Sequence, residues 1–216
     1  MAAAGEPEPF GGHRTDVELS AIFESWHIGD GNYPPLTRGQ LVRLSFELST
    51  KHLAMVPDHG VSRFEGIGNA EYHGGGRVLR RYNTDGYSIA VIEAGGFRFY
   101  VHGSSAATLT PNSSVEFEGT LLLDHYLWVE FLERYPDPPD LFYNLRVTRI
   151  RKVSIPERFV HRTATSVSYP TSVGPSDYGT VEELTTMEGH EFSREFFIID
   201  CDDQGVDGVE LPNTFC

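Results

Sequence analysis

Cysteine is nearly missing from this chain: 216 residues hold two, Cys201 and Cys216. That excludes a disulfide framework and fits a reducing compartment. Bases are scarce beside acids, 17 Lys and Arg against 31 Asp and Glu, for a formal net charge of −14. Such a balance argues against a general attraction to nucleic acid or to an anionic membrane. No apolar run approaches the roughly 20 residues that a bilayer span demands. The run "FFII" at Phe196–Ile199 is short and flanked by acids. The opening "MAAAGEPEPFGGHR" has no basic segment leading into an apolar one, so it does not read as a secretory signal. A soluble, cytoplasmic protein is expected.

Recognisable catalytic patterns are also lacking. "HGGGR" at His73 has the glycines of an esterase oxyanion loop, but the chain has no G-x-S-x-G nucleophile elbow. "HGSS" at His102–Ser105 sets histidine beside serines, yet a triad forms through the fold and needs an orienting acid. "GIGNAE" at Gly66 is a broken dinucleotide fingerprint without a βαβ context. Nine histidines include no HExxH and no H-x-H, and the cysteines are not spaced for zinc. No residue is therefore assigned a catalytic role, and no cofactor is expected.

What is present is β-pattern. Apolar residues make up 39% and aromatic residues 12%, with 22 glycines as punctuation. Val17, Leu19, Ala21 and Phe23 alternate with polar residues, as do Val42, Leu44, Phe46 and Leu48. "YSIAVIE" and "FRFYVH" flank "AGG" and read as a hairpin. Further strands are expected from Val115, over Leu141–Val153, over Phe159–Tyr169 and over Glu195–Asp200. The expected fold is all-β, a mainly antiparallel barrel or sandwich, with at most one or two short helices. The one helical candidate is Asp124–Tyr135, which Asp124 would cap and Pro136 would stop, though the same residues also alternate as a strand does. Residues 1–14 read as a flexible N-terminus, 15–85 as one β-unit and 86–164 as a second that can share its domain. Residues 165–216 read as a polar loop, a final strand and an acidic end. Met1–Gly12 and much of Thr165–Gly179 lack apolar periodicity and are expected to be mobile.

The two units carry a likeness. "LTRGQLVRLSFELSTKHLAMV" from Leu36 and "LTPNSSVEFEGTLLLDHYLWV" from Leu109 agree at six of 21 positions at an offset of 73, and "WHI" at Trp26 meets "FYV" at Phe99. An internal duplication and a generic β-pattern both account for this.

Charge is unevenly spread. Val181 to Glu210 holds ten acids and one base, Arg194, so it carries −9 of the −14. Glu182, Glu183, Glu188 and Glu191 are the candidate contacts of a basic partner. Bases gather on two other stretches, Arg77, Arg80 and Arg81 in "RVLRRY" and Arg146, Arg149, Arg151 and Lys152 in "LRVTRIRKV". With Tyr82, Phe142 and Tyr143 nearby, they are candidates for a single-stranded nucleic-acid face, because such a face needs cations for the backbone and rings for the bases. The strand–glycine pattern over Val115–Val153 resembles the back half of an oligonucleotide-binding (OB) barrel, which implies a binding face and loops. "DCDDQGVDGVEL" supplies Asp200, Asp202 and Asp203 as candidate calcium ligands, though Leu211 stands where an EF-hand has its bidentate glutamate.

Three functions follow. The leading one is a non-catalytic intracellular binding protein that engages a basic protein, as an inhibitor or immunity-type protein does. The second is an OB-like nucleic-acid-binding barrel with a regulatory acidic tail. The third is an enzyme whose site is scattered over a β-scaffold.

Overall fold

The computed structural model describes residues 18–57, 62–83, 88–124, 135, 138–154, 161–162, 167–168, 181–187 and 195–203. In chain order the elements are β1 (Glu18–Glu24), α1 (Trp26–Gly29), β2 (Leu36–Thr37), β3 (Leu41–Leu44), β4 (Phe46–Val56), β5 (Arg63–Gly68), β6 (Glu71–Asn83), β7 (Ser88–Ala94), β8 (Phe97–His102), α2 (Ser104–Ala107), β9 (Ser114–Leu123), β10 (Tyr143–Val153), β11 (His161–Arg162), β12 (Val167–Ser168), β13 (Val181–Leu184), β14 (Thr186–Met187) and β15 (Phe196–Asp203). The fold is all-β, as the alternation implied, with two one-turn helices among the described residues. Most of the helical candidate Asp124–Tyr135, all of Met1–Gly12, and Thr165–Gly179 apart from β12 lie outside the described residues.

Eleven strands form one sheet, and part of it closes on itself. Strands β6, β7 and β8 are consecutive antiparallel neighbours. β8 lies parallel to β4, β4 is antiparallel to β9, and β9 is antiparallel to β6. These five make a closed barrel. Beyond it, β9 touches β1, β1 pairs β15, β15 pairs β10, and β10 pairs both β13 and β3. β3 runs into β4 through the single residue Ser45, so the outer strands return to the barrel wall and complete a second circuit.

One core fills both circuits. β9 shows why: Val115, Phe117, Leu121 and Leu123 are buried while Glu116 and Glu118 are exposed, so alternation delivers one apolar face. Opposite them lie Leu48, Ala90, Ile92, Phe99 and Val101, with Leu19, Phe23, Val147 and Ile199 in the second circuit. Each large side chain removed from water contributes about 1.5–3 kcal/mol before entropy is counted. The two similar stretches share this core, since Val42, Leu44 and Leu48 are buried like Val115, Phe117 and Leu121. The likeness stops upstream, where Trp26 opens a helical turn and Phe99 sits inside a strand.

"HGGG" lies inside β6, the longest of the described strands. Here β6 has β9 on one edge and passes from β5 to β7 on the other. A Cβ at Gly76 would stand 2.5 Å from the Glu93 carbonyl oxygen and 2.9 Å from the Ala94 Cβ. One at Gly74 would strike the Arg63 carbonyl and the Phe117 ring. The glycines are there because backbones crowd together. Gly76→Ala should therefore lower unfolding stability by about 1–3 kcal/mol in urea titrations. At Gly66 the nearest atom is a Tyr72 ring carbon at 3.5 Å, and Gly66→Ala should stay within about 0.5 kcal/mol of the wild type.

Candidate functional site

Polar side chains gather at two places. The first is a cleft of about 290 Å³ where the two circuits meet. β1 supplies Glu18 and Ser20, β10 supplies Arg149 and Arg151, β15 supplies Asp200, and the β5–β6 turn closes the far side with Asn69, Ala70, Glu71 and Tyr72. Asn69 and Ala70 both have positive φ, 46° and 67°, as the two central residues of a tight type I′ hairpin turn require. Alanine in this conformation costs about 1–2 kcal/mol. It is held there by burial and by its carbonyl, which accepts from the Leu121 amide at 2.8 Å. The stretch "GIGNAE" is thus a hairpin turn at a cleft.

Asp200 is the floor of that cleft and only 3% exposed. Its Oδ1 accepts from the Ser20 hydroxyl at 2.6 Å and from Arg151 Nη2 at 2.5 Å. Arg151 Nη1 donates on to Asn69 Oδ1 at 2.9 Å. Beside them the Tyr72 hydroxyl accepts from the Ser20 amide at 2.7 Å and donates to the Ser20 carbonyl at 3.1 Å, clamping β6 to β1. Burial pushes the Tyr72 phenol up to about 12, against the backbone hydrogen bond from Ser20 that pulls it down. Tyr143 of β10 makes the same clamp on Arg98 of β8, at 2.6 and 3.3 Å. The cleft's polar groups are therefore largely spent on one another.

The second place is the outer face of the barrel where β4 meets β8. The Tyr100 hydroxyl donates to Asp124 Oδ1 at 2.5 Å and lies 3.3 Å from Glu47 Oε2. The Ser45 hydroxyl donates to Asp124 Oδ2 at 3.2 Å, and the Tyr33 hydroxyl to the Asp124 carbonyl at 3.2 Å. His102 Nε2 stands 3.0 Å from Glu47 Oε1. Glu47, Tyr100 and Asp124 are buried, while His102 is exposed at its rim. Burial and the two neighbouring carboxylates hold the Tyr100 phenol well above its ordinary value. The hydrogen bond to Glu47 raises His102 above 6.5, against its desolvation. A half-exposed imidazole oriented by a buried carboxylate can hold or pass a proton at its second nitrogen.

The sequence-named residues fall as follows. Glu182 and Glu183 lie exposed on β13; Glu188 and Glu191 lie outside the described residues. Glu183 Oε2 accepts from Arg149 Nε at 3.0 Å, and its other oxygen lies 3.7 Å from Arg38. Lys152 donates to Glu195 at 2.5 Å. So β10, the basic strand, runs between β13 and β15, and acids on these strands and at Glu195, just before β15, meet its Arg149, Arg151 and Lys152. Arg146 donates to the Gly39 carbonyl at 3.3 Å. Arg81 donates to the Ala107 and Leu109 carbonyls at the end of α2, both at 2.9 Å. Arg77 and Arg80 are exposed on β6, and Arg77 faces Glu93 across the ladder. Asp200, Asp202 and Asp203 lie on β15. Among the described residues no three His, Cys, Asp or Glu side chains converge as metal ligands, and Asp200 is engaged by Arg151. No described helix is long and apolar enough to cross a membrane. Glu47, Tyr100 and Asp124 had no spacing signal to reveal them.

No family model, curated protein or solved structure matches the chain.

Arg151→Met should destabilise the fold by about 3–5 kcal/mol, since it strands the Asp200 carboxylate in the interior. Arg149→Met, at a half-exposed pair, should cost no more than about 1 kcal/mol. The double variant Arg151→Met, Asp200→Leu should recover part of the first loss, as measured by urea unfolding.

Proposed function

We propose that the protein is a non-catalytic binding protein that engages a basic protein partner through its acidic surface, as an inhibitor or immunity-type protein does. The supporting observation is the fate of the basic strand. Arg149, Arg151 and Lys152 are each met by an acid of β13, β15 or the residue leading into it. Pairing consumes acids and bases one for one, so the chain keeps its surplus of negative charge while its strongest cluster of cations is cancelled within the fold. Glu182 faces out from β13, the last strand at one end of the sheet. A basic partner approaching that end meets acid first, and complementary charge speeds encounter and selects partners.

One observation favours a second reading, the OB-like nucleic-acid-binding barrel. Three consecutive antiparallel strands, β6–β7–β8, then parallel β4, then β9 antiparallel to both β4 and β6, is the order of an OB barrel whose last strand has moved to the front of the chain. α2 then stands in the usual place between the third and fourth strands. The ligand face of such a barrel is the outer surface of its second and third strands, here β7 and β8. That surface is covered: Ile89, Val91 and Tyr100 are buried together with Leu141. With the bases of β10 paired as well, the acidic-surface reading is the stronger.

Chemical-shift mapping with an oligolysine peptide and with an oligothymidylate tests the choice. The peptide should perturb β13 and the residues beside it, with affinity that falls as salt rises. Reversing Glu182, Glu188 and Glu191 to lysine should slow its association roughly tenfold. Perturbation of Arg77 and Arg80 by the oligothymidylate, with β13 silent toward the peptide, would transfer the conclusion to the second reading.

A further inference from the structure

The five-stranded barrel closes unevenly. β4 and β9 pair along nearly their whole lengths, and so do β7 and β8. β4 and β8 share a single paired position, Glu47 opposite Tyr100. Backbone hydrogen bonds therefore do little at this seam, and side chains bridge it. They are the ionisable cluster already described. Glu47 comes from β4, Tyr100 and His102 from β8, and Asp124 from the residue that follows β9.

The charge arithmetic at the seam is unusual. Two buried carboxylates, Glu47 and Asp124, flank one phenolic proton on Tyr100. The hydroxyl oxygen that carries it lies closer to Asp124 Oδ1, at 2.5 Å, than to Glu47 Oε2, at 3.3 Å. Glu47 therefore depends on His102, whose Nε2 is 3.0 Å from its other oxygen. From the described elements, the titratable and charged groups facing this pair are Tyr100 on β8 and Asp124 at the end of β9. Ile89 of β7, opposite His102 in register, is apolar, and so is Leu141, packed on Tyr100. A neutral imidazole leaves Glu47 as a buried carboxylate without its cation, at the barrel joint with the least backbone to hold it.

We propose that the β4–β8 seam is a proton-operated latch, shut by protonated His102 on Glu47 and loosened when His102 gives up that proton. Loosening frees β8 and β4 from each other at the outer face where Leu141 packs, while the antiparallel joints of the barrel stay closed. The sign follows from linkage. His102 in the folded protein titrates above 6.5, so its contribution is whole below 6.5 and is lost as pH rises through the folded midpoint.

Amide hydrogen exchange of the full chain, followed by NMR from about pH 6 to about pH 9 and corrected for the intrinsic exchange rate, reads the latch. Protection of the Leu48 and Tyr100 amides, which face each other's strand across the seam, should fall with rising pH, while that of Gly74 and Phe117 between β6 and β9 should not. The total fall should match tenfold for each pH unit by which His102, titrated in the same sample, lies above 6.5. His102→Gln should show loosened seam amides at every pH, with no pH step. Glu47→Gln should return His102 toward 6.5 and also remove the step. Should one variant fail to fold, the wild-type comparison still decides. Seam amides that stay flat while His102 titrates, or a step that survives in either variant, would overturn the latch.

Discussion

A single buried ion pair sets the geometry on which the rest of the molecule depends. Arg151 and Asp200 sit on neighbouring strands, and each is committed further: Asp200 to Ser20 on β1, Arg151 to Asn69 in the β5–β6 turn. Four segments far apart in sequence are thus fixed at one point. Neither charge can leave without stranding the other in an environment that solvates it poorly. The Tyr72 clamp on Ser20 lies beside it, and the Tyr143 clamp on Arg98 ties the second circuit to the opposite part of the barrel. Directional bonds of this kind add less net energy than the core does, but they determine which strand lies against which.

Period-two alternation made most of the strands legible. β3, β9 and the start of β4 occupy runs where apolar and polar residues exchange places, because one face of each meets the common core, whereas β7 and β15 show as short continuous apolar runs, because both of their faces are covered. The pattern failed where its cause was different. The first half of β6 is hidden in a glycine-rich stretch because Gly74 and Gly76 are selected by backbone crowding, which leaves no side chain at those positions to mark the strand. "VEEL" has too few apolar residues to announce β13, whose place comes from register against β10 and from the pairing of Glu183 with Arg149. Closure was invisible for a simpler reason: whether a strand finds its neighbour five or seventy residues away is a property of the whole chain.

The polar residues were legible only as charge. Counting acids and bases located the two populations that meet along β10, and the meeting itself needed coordinates. The seam as a grouping left no trace. Glu47 occupies an outward position of an alternating strand, which on sequence grounds belongs in water. It is buried because β8 lies parallel beside it and residues around Leu141 cover that face. His102 was noticed for the serines that follow it, whereas its partner proves to be a glutamate 55 positions earlier.

The two circuits share the wall formed by β4 and β9, and this gives synthesis an order. All five strands of the closed barrel, β4 and β6 to β9, have been made once Leu123 has emerged. β1 is made before any of them, yet its long pairing is with β15, about 180 residues later, and it touches β9 at only one position. On a translating ribosome the barrel can form while β1 still waits, its apolar face of Leu19, Ala21 and Phe23 without a permanent cover. The last described strand to appear is the one that shelters the first. A nascent chain stalled short of Phe196 therefore exposes an aggregation-prone strand next to a finished barrel, and such long-range closure is the slow step expected of a fold built from distant pairings.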